Sequence, residues 1–363
     1  MEAVGTRTYE VPTDRAEADG TLSWSKTTVV VAEVSAAGRT GLGWTYGAGA
    51  DRSVIEAKLA DLVNGSDPMA VGATNEAMVQ ACRNLGRPGV AADAISALDV
   101  ALWDLKAKLL DLPLADLLGR HMERVPIYGS GGFTTYDDAT TRRQVETWVH
   151  GLGARSVKIK VGESWGRRIE RDLSRVALVR EVAGDGVDIM VDANGGYSRK
   201  DAVRTGQKMY DEHRVVWFEE PVSSDDLEGL REVRDAVAPD VTDGEYGYHL
   251  PYFAHMVGSG AVDCLQMDAT RCGGYTGWLA AASLAFSHSL QVSAHCGPNI
   301  RAPVAAAVPN LRHVEYFHDH ARLDAVLFDG LPRVSDGALV LDGGGPGHGM
   351  TLKKADAEPY RTG

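Results

Sequence analysis

The sequence predicts an α/β fold: a (β/α)8 barrel preceded by a smaller α+β unit. Two observations carry the prediction. From Val125 onward, eight short apolar runs recur with helical stretches between them. Within the later runs, one polar residue near each end (Lys160, Asp192, Glu219, Glu245, Asp268, His295, Glu315) returns at steps of 32, 27, 26, 23, 27 and 20 residues. Each step has room for a strand, a helix and two loops, the βαβ signature of a parallel sheet. Eight such units fit a closed barrel better than an open sheet.

Composition bounds the reading. With 363 residues, 44% of them hydrophobic and 24% charged, the chain is an ordinary globular sequence long enough for a barrel and an appended unit. A net charge of −13 argues against nucleic acid or an anionic membrane as partner. No apolar run approaches the roughly 20 residues that span a bilayer. The first twenty residues are too polar for a signal peptide. Cys82, Cys264, Cys272 and Cys296 form no CxxC, so they read as reduced thiols of a cytoplasmic protein.

In order along the chain, the first stretch is β-rich. Residues 27–34 are β-branched, Gly38 and Gly41 mark a turn, and 42–46 follow as a strand. Residues 53–62 and 90–110 are helical. In the second helix Ala94, Leu98, Ala101, Leu102, Leu105 and Leu109 recur at three- and four-residue steps, and Pro113 is the stop. The barrel strands are expected at 126–129, 157–161, 187–191, 215–219, 241–245, 262–268, 291–295 and 314–317. The tail from Leu331, Gly-rich over 342–349, reads as loop. It has neither a Walker lysine nor a strand–GxGxxG–helix context.

Barrel strands are buried on both faces and should be apolar, yet these runs end in ionisable residues. In a barrel those ends converge on one face, where active sites are built. Alone, an acid at a strand–helix junction is a helix N-cap. Asp192, Glu219 and Glu245 stand in three successive units, where they would repel one another unless a cation joined them. An all-oxygen set suits magnesium or manganese. Glu220 and Asp243 are the neighbouring acids most easily mistaken for members of this set.

Lys158 and Lys160 alternate onto one side of their strand, into the barrel mouth. Mutual repulsion and a nearby metal would depress a lysine pKa, as a general base requires. Asp268 and His295 end adjacent runs. A carboxylate on one imidazole nitrogen fixes the tautomer and frees the other nitrogen as acid or base, although a lone histidine in an apolar run is also a common core residue. Glu315, in run eight, could bond a substrate carboxylate if protonated.

Laid out this way, the chain resembles the enolase superfamily, specifically its mandelate racemase subgroup, over essentially its whole length. The resemblance rests on KIK (158–160), VDANGGY (191–197), FEEP (218–221), DGEY (243–246), MDATRCGGYTGW (267–278), SAH (293–295), PGHGM (346–350) and the helix 97–119. It implies a capping α+β domain (1–124), a modified TIM barrel, (β/α)7β (125–330), irregular after its first strand, and a C-terminal segment (331–363) that returns to the cap. It further implies one magnesium ion on Asp192, Glu219 and Glu245, with Lys160 as one acid/base and the His295–Asp268 dyad as the other. Lys158 would orient the substrate carboxylate or tune Lys160, Glu315 would hydrogen-bond the carboxylate, and Asn194, Tyr46 and Trp44 would complete the substrate-binding set. Asp243 beside the metal is an unusual acid for the family, and Cys272 and Cys296 sit close to the site. A homo-oligomer is expected by analogy.

The shared chemistry is removal of a proton α to a carboxylate. Bases on two faces allow dehydration of an acid sugar to a 2-keto-3-deoxy acid, or racemisation or epimerisation of a 2-hydroxy acid. Cap residues able to meet hydroxyls (Trp44, Thr45, Tyr46, Gly47, with Trp24 and Lys26) favour the first. Metal-assisted phosphate hydrolysis would leave the lysines and the dyad without roles. A non-catalytic metal-dependent carboxylate binder is the remaining alternative.

Overall fold

The structure, a computed structural model, describes residues 1–342 and 345–363; Gly343 and Gly344 of the Gly-rich tail lie outside the described residues. An antiparallel sheet leads, in the order β1 (Ala3–Ala18), β2 (Ser23–Ala36), β3 (Arg39–Tyr46). The β-branched run of β2 is buried on both faces, and its period of two divides it between two cores. Val29 and Val31 join Tyr9 and Trp44 on the barrel side, while Val30, Ala32 and Val34 pack on the helix Val90–Leu109. That helix buries its predicted stripe, including Leu98, Leu102 and Leu105. It lies close against β3 because residues 41 and 43 are glycines. A Cβ at Gly41 would overlap the Ala101 carbonyl, and one at Gly43 the Ala97 carbonyl.

Eight parallel strands follow: β4 (Arg124–Gly131), β5 (Ser156–Lys160), β6 (Asp188–Asp192), β7 (Val215–Glu219), β8 (Asp240–Asp243), β9 (Cys264–Met267), β10 (Gln291–Ala294) and β11 (Leu311–Phe317). Each pairs with the next, and β11 returns to β4, Val314 opposite Ile127, so the sheet is a closed barrel. Inside, Tyr128, Met190, Trp217 and Cys264 form one packed cluster. His313 lies against the Tyr128 and Trp217 rings at 4.5 and 5.1 Å between centroids. Burial pushes its pKa down to about 3, so it is a neutral core residue.

Several local expectations are corrected. The segment after the first barrel strand is helical, Asp138–Glu146, and continues as a wider-turn helix to Gly151. Asp137 caps it by accepting from the Thr140 N–H, a local signal for this helix, and the expected irregularity is confined to the wider-turn stretch Thr147–Gly151. The helix Val71–Ala81 had no clear apolar stripe to announce it. The tail is not all loop: Arg333–Ser335 and Ala338–Val340 form a hairpin on the lower end of β4, and Thr351–Leu352 pairs with Phe328–Asp329. The chain end does reach the cap, where Thr362 donates to the Thr8 carbonyl on β1. No helix among the described residues is long and apolar enough to cross a membrane.

Candidate active site

Asp192 and Glu219 end β6 and β7, while Glu245 lies two residues past β8, beyond Gly244. Gly244 has φ 130°, and a Cβ there would overlap the Gln266 carbonyl, so only glycine lets the chain turn Glu245 inward. The three carboxylates are buried, and one oxygen of each lies within 4.8 Å of the other two. Register makes the ring level: Lys160, Asp192 and Glu219 are direct cross-strand neighbours.

At one end of the acid set, Lys160 Nζ lies 2.5 Å from Asp192 Oδ2. At the other, His295 Nε2 stands 3.1 Å from Glu245 Oε2, and its Nδ1 lies 2.8 Å from Asp268 Oδ2. Asp268 is itself held by Arg301 and by the Thr270 N–H and hydroxyl, both at 2.7 Å. Burial opposes its charge, but Arg301 and the His295 hydrogen bond keep its carboxyl well below the usual range. An ionised Asp268 orients the imidazole so that Nε2 faces the acids. Burial also opposes an imidazolium at His295, yet Cys296, Glu245 and Asp268 outweigh it and raise its pKa.

The lysines depart from expectation. Burial would lower both pKa values, but the carboxylates dominate and raise them. Asp192 does so for Lys160, and Glu219 and Glu315 for Lys158. Lys158 starts level with Met190, one layer below the acids, and its ammonium bonds Glu219 Oε1 at 2.5 Å and Glu315 Oε1 at 2.9 Å. It is fully buried, and its ammonium also lies 3.5 Å from Asp192 Oδ2, the oxygen that Lys160 contacts, so it is placed to tune Lys160. Glu315 is corrected too. It sits two residues inside β11, accepts from Ser130 Oγ and the Cys296 N–H, and is held well below the carboxylate range against its burial, by Lys158 above all, the direction opposite to the protonated form expected.

Above the ring a cavity of about 380 Å³ is lined by Lys160, Asn194, Glu245, Arg271, His295 and Cys296 from the barrel, with Trp24, Lys26, Tyr46 and Gly47 from the cap. Tyr46 reaches it, its ring stacked on His320 at 3.7 Å. Trp44 does not: it is fully buried and stacked on Phe328 at 4.1 Å, with its indole N–H donated to the Tyr46 hydroxyl. Asn194 donates to Glu220 Oε2 at 3.2 Å, while its own Oδ1 is buried without a partner. Of the two cysteines, Cys296 lines the cavity and Cys272 does not. Arg271, 3.4 Å from Glu245, was missed; its position in the loop after β9 carries no periodic signal. Glu220 and Asp243 are buried beside the set, and burial raises both their pKa values.

The family profile described as Enolase C-terminal domain-like matches residues 140–357, and the Mandelate racemase / muconate lactonizing enzyme, N-terminal domain profile matches residues 5–119. The chain belongs to this family. It is an enzyme of the enolase superfamily, with the family's closed barrel and N-terminal cap. It is 34% identical over 317 residues to an L-talarate/galactarate dehydratase of Salmonella typhimurium, covering 85% of this chain and 78% of that one. It is 30% identical over 363 residues, 97% of each chain, to a 3,6-anhydro-alpha-L-galactonate cycloisomerase of Streptomyces coelicolor. A hydrophobic dipeptide epimerase of Roseobacter litoralis is 32% identical over 282 residues, 75% of this chain and 77% of that one. Among solved structures, a mandelate racemase/muconate lactonizing enzyme-like protein from Rubrobacter xylanophilus shares 45% identity at TM-score 0.96, covering 99% of both chains. The Salmonella typhimurium dehydratase liganded with Mg and L-lyxarohydroxamate aligns at TM-score 0.90 and 28% identity, covering 99% of this chain and 92% of that one.

The donor set here fits that metal. Three buried carboxylates and no nitrogen or sulfur make a hard, all-oxygen cradle. Burial and the neighbouring carboxylates raise the Glu219 pKa against the pull of Lys158.

Proposed function

We propose that this enzyme abstracts the proton α to a carboxylate with magnesium held by Asp192, Glu219 and Glu245, and that its reaction is dehydration of an aldonic or aldaric acid. The observation that carries the reading is the placement of two proton carriers, Lys160 and His295, at opposite ends of the acid set and on one cavity. Magnesium, when bound, would take up the carboxylate charge that otherwise keeps Lys160 protonated, and would supply positive charge to the substrate carboxylate.

An α-proton is very weakly acidic, so positive charge must already be in place as the enediolate forms. Lys158, rooted one layer below the ring, pairs with Glu219 and Glu315 and holds both in position. On this reading Lys160 and His295 face the two sides of the α-carbon, and the configuration there decides which one takes the proton. The other donates a proton to the β-hydroxyl as it leaves as water, and the enol tautomerises to a 2-keto-3-deoxy acid. Asp268 keeps His295 Nε2 aimed inward throughout. Asn194, Tyr46, Lys26 and Arg271 line the part of the cavity where substrate hydroxyls would lie. In this reading residues 1–124 serve as the capping domain, 125–330 carry the catalytic ring, and 331–363 tie the two together.

The same two carriers support a second reading, in which the second group returns a proton to the same carbon and the product is an epimer. A panel of aldonic and aldaric acids with magnesium separates the two. A 2-keto product from a panel member is expected; α-proton exchange with deuterated solvent without water loss would instead establish the epimerase.

A further inference from the structure

Away from the ring, one cluster brings a histidine and two carboxylates to a point. Asp14 and Glu17 lie near the end of β1, and His318 opens the helix His318–Leu327 directly after β11. One ligand atom of each lies within 4.8 Å of those of the other two. His318 Nε2 stands 3.2 Å from Asp14 Oδ2 and 3.3 Å from Oδ1. Glu17 is 0% exposed: its Oε2 accepts the Trp24 indole N–H at 2.8 Å, while Oε1 is buried with no partner. Arg322, on the His318 helix, makes no hydrogen bond to it: its Nη2 donates to Asp319 and to the Pro12 carbonyl, and its Nε is buried without a partner. A buried carboxylate oxygen without a hydrogen bond is costly, and an added cation is one way to remove the cost.

We propose that Asp14, Glu17 and His318 form a second cation site that selects zinc, or a neighbouring transition ion, over magnesium. One imidazole nitrogen and two carboxylate oxygens are a three-ligand zinc set, with water as the fourth ligand. The adjoining hollow, about 190 Å³ and lined by Asp14 and His318, gives that water access. Arg15 and Arg143 also line the hollow and oppose any cation, so the selectivity rests on the imidazole nitrogen of His318. Magnesium prefers oxygen ligands and sheds its water reluctantly, so the two sites sort two metals by donor type.

The placement gives the ion a positioning role. It would tie the end of β1 in the cap to the barrel immediately after β11. Trp24, held by Glu17 and edge-on to Phe133 at 5.4 Å, lines the catalytic cavity, and so does Phe317, the neighbour of His318. Zinc at this point would hold the turn at residues 19–23 over that cavity.

The test is calorimetric titration of zinc into the full chain in excess magnesium, with anomalous diffraction at the zinc edge from crystals of the same sample. A zinc peak is expected within about 2.0–2.2 Å of His318 Nε2 and of the Asp14 and Glu17 carboxylates. His318→Ala and the exposed Asp14→Asn should each weaken zinc binding by roughly ten-fold or more. Asp192→Asn should leave this binding event in place. Zinc should raise the melting temperature of the wild type and not that of either cluster variant. A peak only at Asp192, Glu219 and Glu245, a peak only beside His295, Cys296 and Glu315, or binding unchanged in both cluster variants would overturn the proposal.

Discussion

Inside the barrel, Met190, Trp217 and His313 form a lower layer. Asp192, Glu219 and Glu315, each two residues further along the same strand, form the layer above. The lower layer is held by packing of apolar and aromatic groups, and its histidine is kept neutral by burial. The upper layer is equally buried, yet it is held by charge: two lysines and a histidine against acids from three strands and from Glu245 just past β8. One strand repeat therefore separates a core from a candidate catalytic centre. Lys158 shows how sharp the boundary is. It is rooted in the lower layer and reaches upward only far enough to pair with Glu219 and Glu315, whereas Lys160 opens on the cavity.

The sharpest way to break this comparison is to remove one proton carrier from the upper layer. Lys160→Met and His295→Asn should each lower turnover, or α-proton exchange into deuterated solvent, by about 10²–10⁴-fold. Magnesium binding, followed calorimetrically, should persist. Unchanged turnover in both variants would make the upper layer a buried ion network and nothing more.

A cut in the lower layer should read out differently. Trp217→Ala removes a fully buried indole and the hydrogen bond it donates to Glu219 Oε2 at 3.0 Å. Destabilisation of about 3–5 kcal/mol is expected from urea unfolding. The per-molecule rate of the fraction that stays folded should fall far less than in Lys160→Met. An equal fall would mean that the two layers act as one unit.

The upper layer was legible in the sequence because burial makes charge conspicuous. Asp192, Glu219 and Glu245 stood out against apolar runs at a spacing that only a parallel sheet explains. Depth was not legible: alternation shows which face a side chain takes, not which layer it starts from, so it favours neither of the two readings of Lys158, contact with the substrate carboxylate or tuning of Lys160. The cap was harder still. Trp44 and Tyr46 share one face of β3, and only the approach of Phe328, more than 280 residues later in the chain, puts one in the core and leaves the other at the cavity.

A smaller effect is expected where the cap meets its helix. Gly43→Ala would push a methyl into the backbone of Val90–Leu109 at Ala97 and Ala101. The cost should be about 1–3 kcal/mol, since the helix must move away from β3. Cap and barrel share the seam at Thr45 Oγ1, which donates to the Thr270 carbonyl at 2.9 Å, next to Asp268. A rise in KM with little change in kcat would therefore show that the cap shapes the cavity without touching the proton carriers. Loss of kcat alone would show that the layers are less separate than their packing indicates.

Tyr46→Phe should have the smallest effect, and it asks whether a cavity wall is also a substrate contact. The Tyr46 hydroxyl is already engaged, donating to Asp324 Oδ1 at 2.7 Å and accepting from the Trp44 indole. Its removal leaves a buried indole N–H and a buried carboxylate oxygen each one hydrogen bond short, so a loss of about 1–3 kcal/mol in stability is expected. The ring and its stack on His320 remain, so the cavity keeps its shape. If substrate hydroxyls meet only the ring face, KM should stay within about three-fold of wild type, well under the roughly ten-fold change that 1.4 kcal/mol of lost binding gives. A larger rise in KM at unchanged melting temperature would mean that the hydroxyl leaves Asp324 to meet substrate, which would make Tyr46 a specificity residue and the cap a moving part of the site.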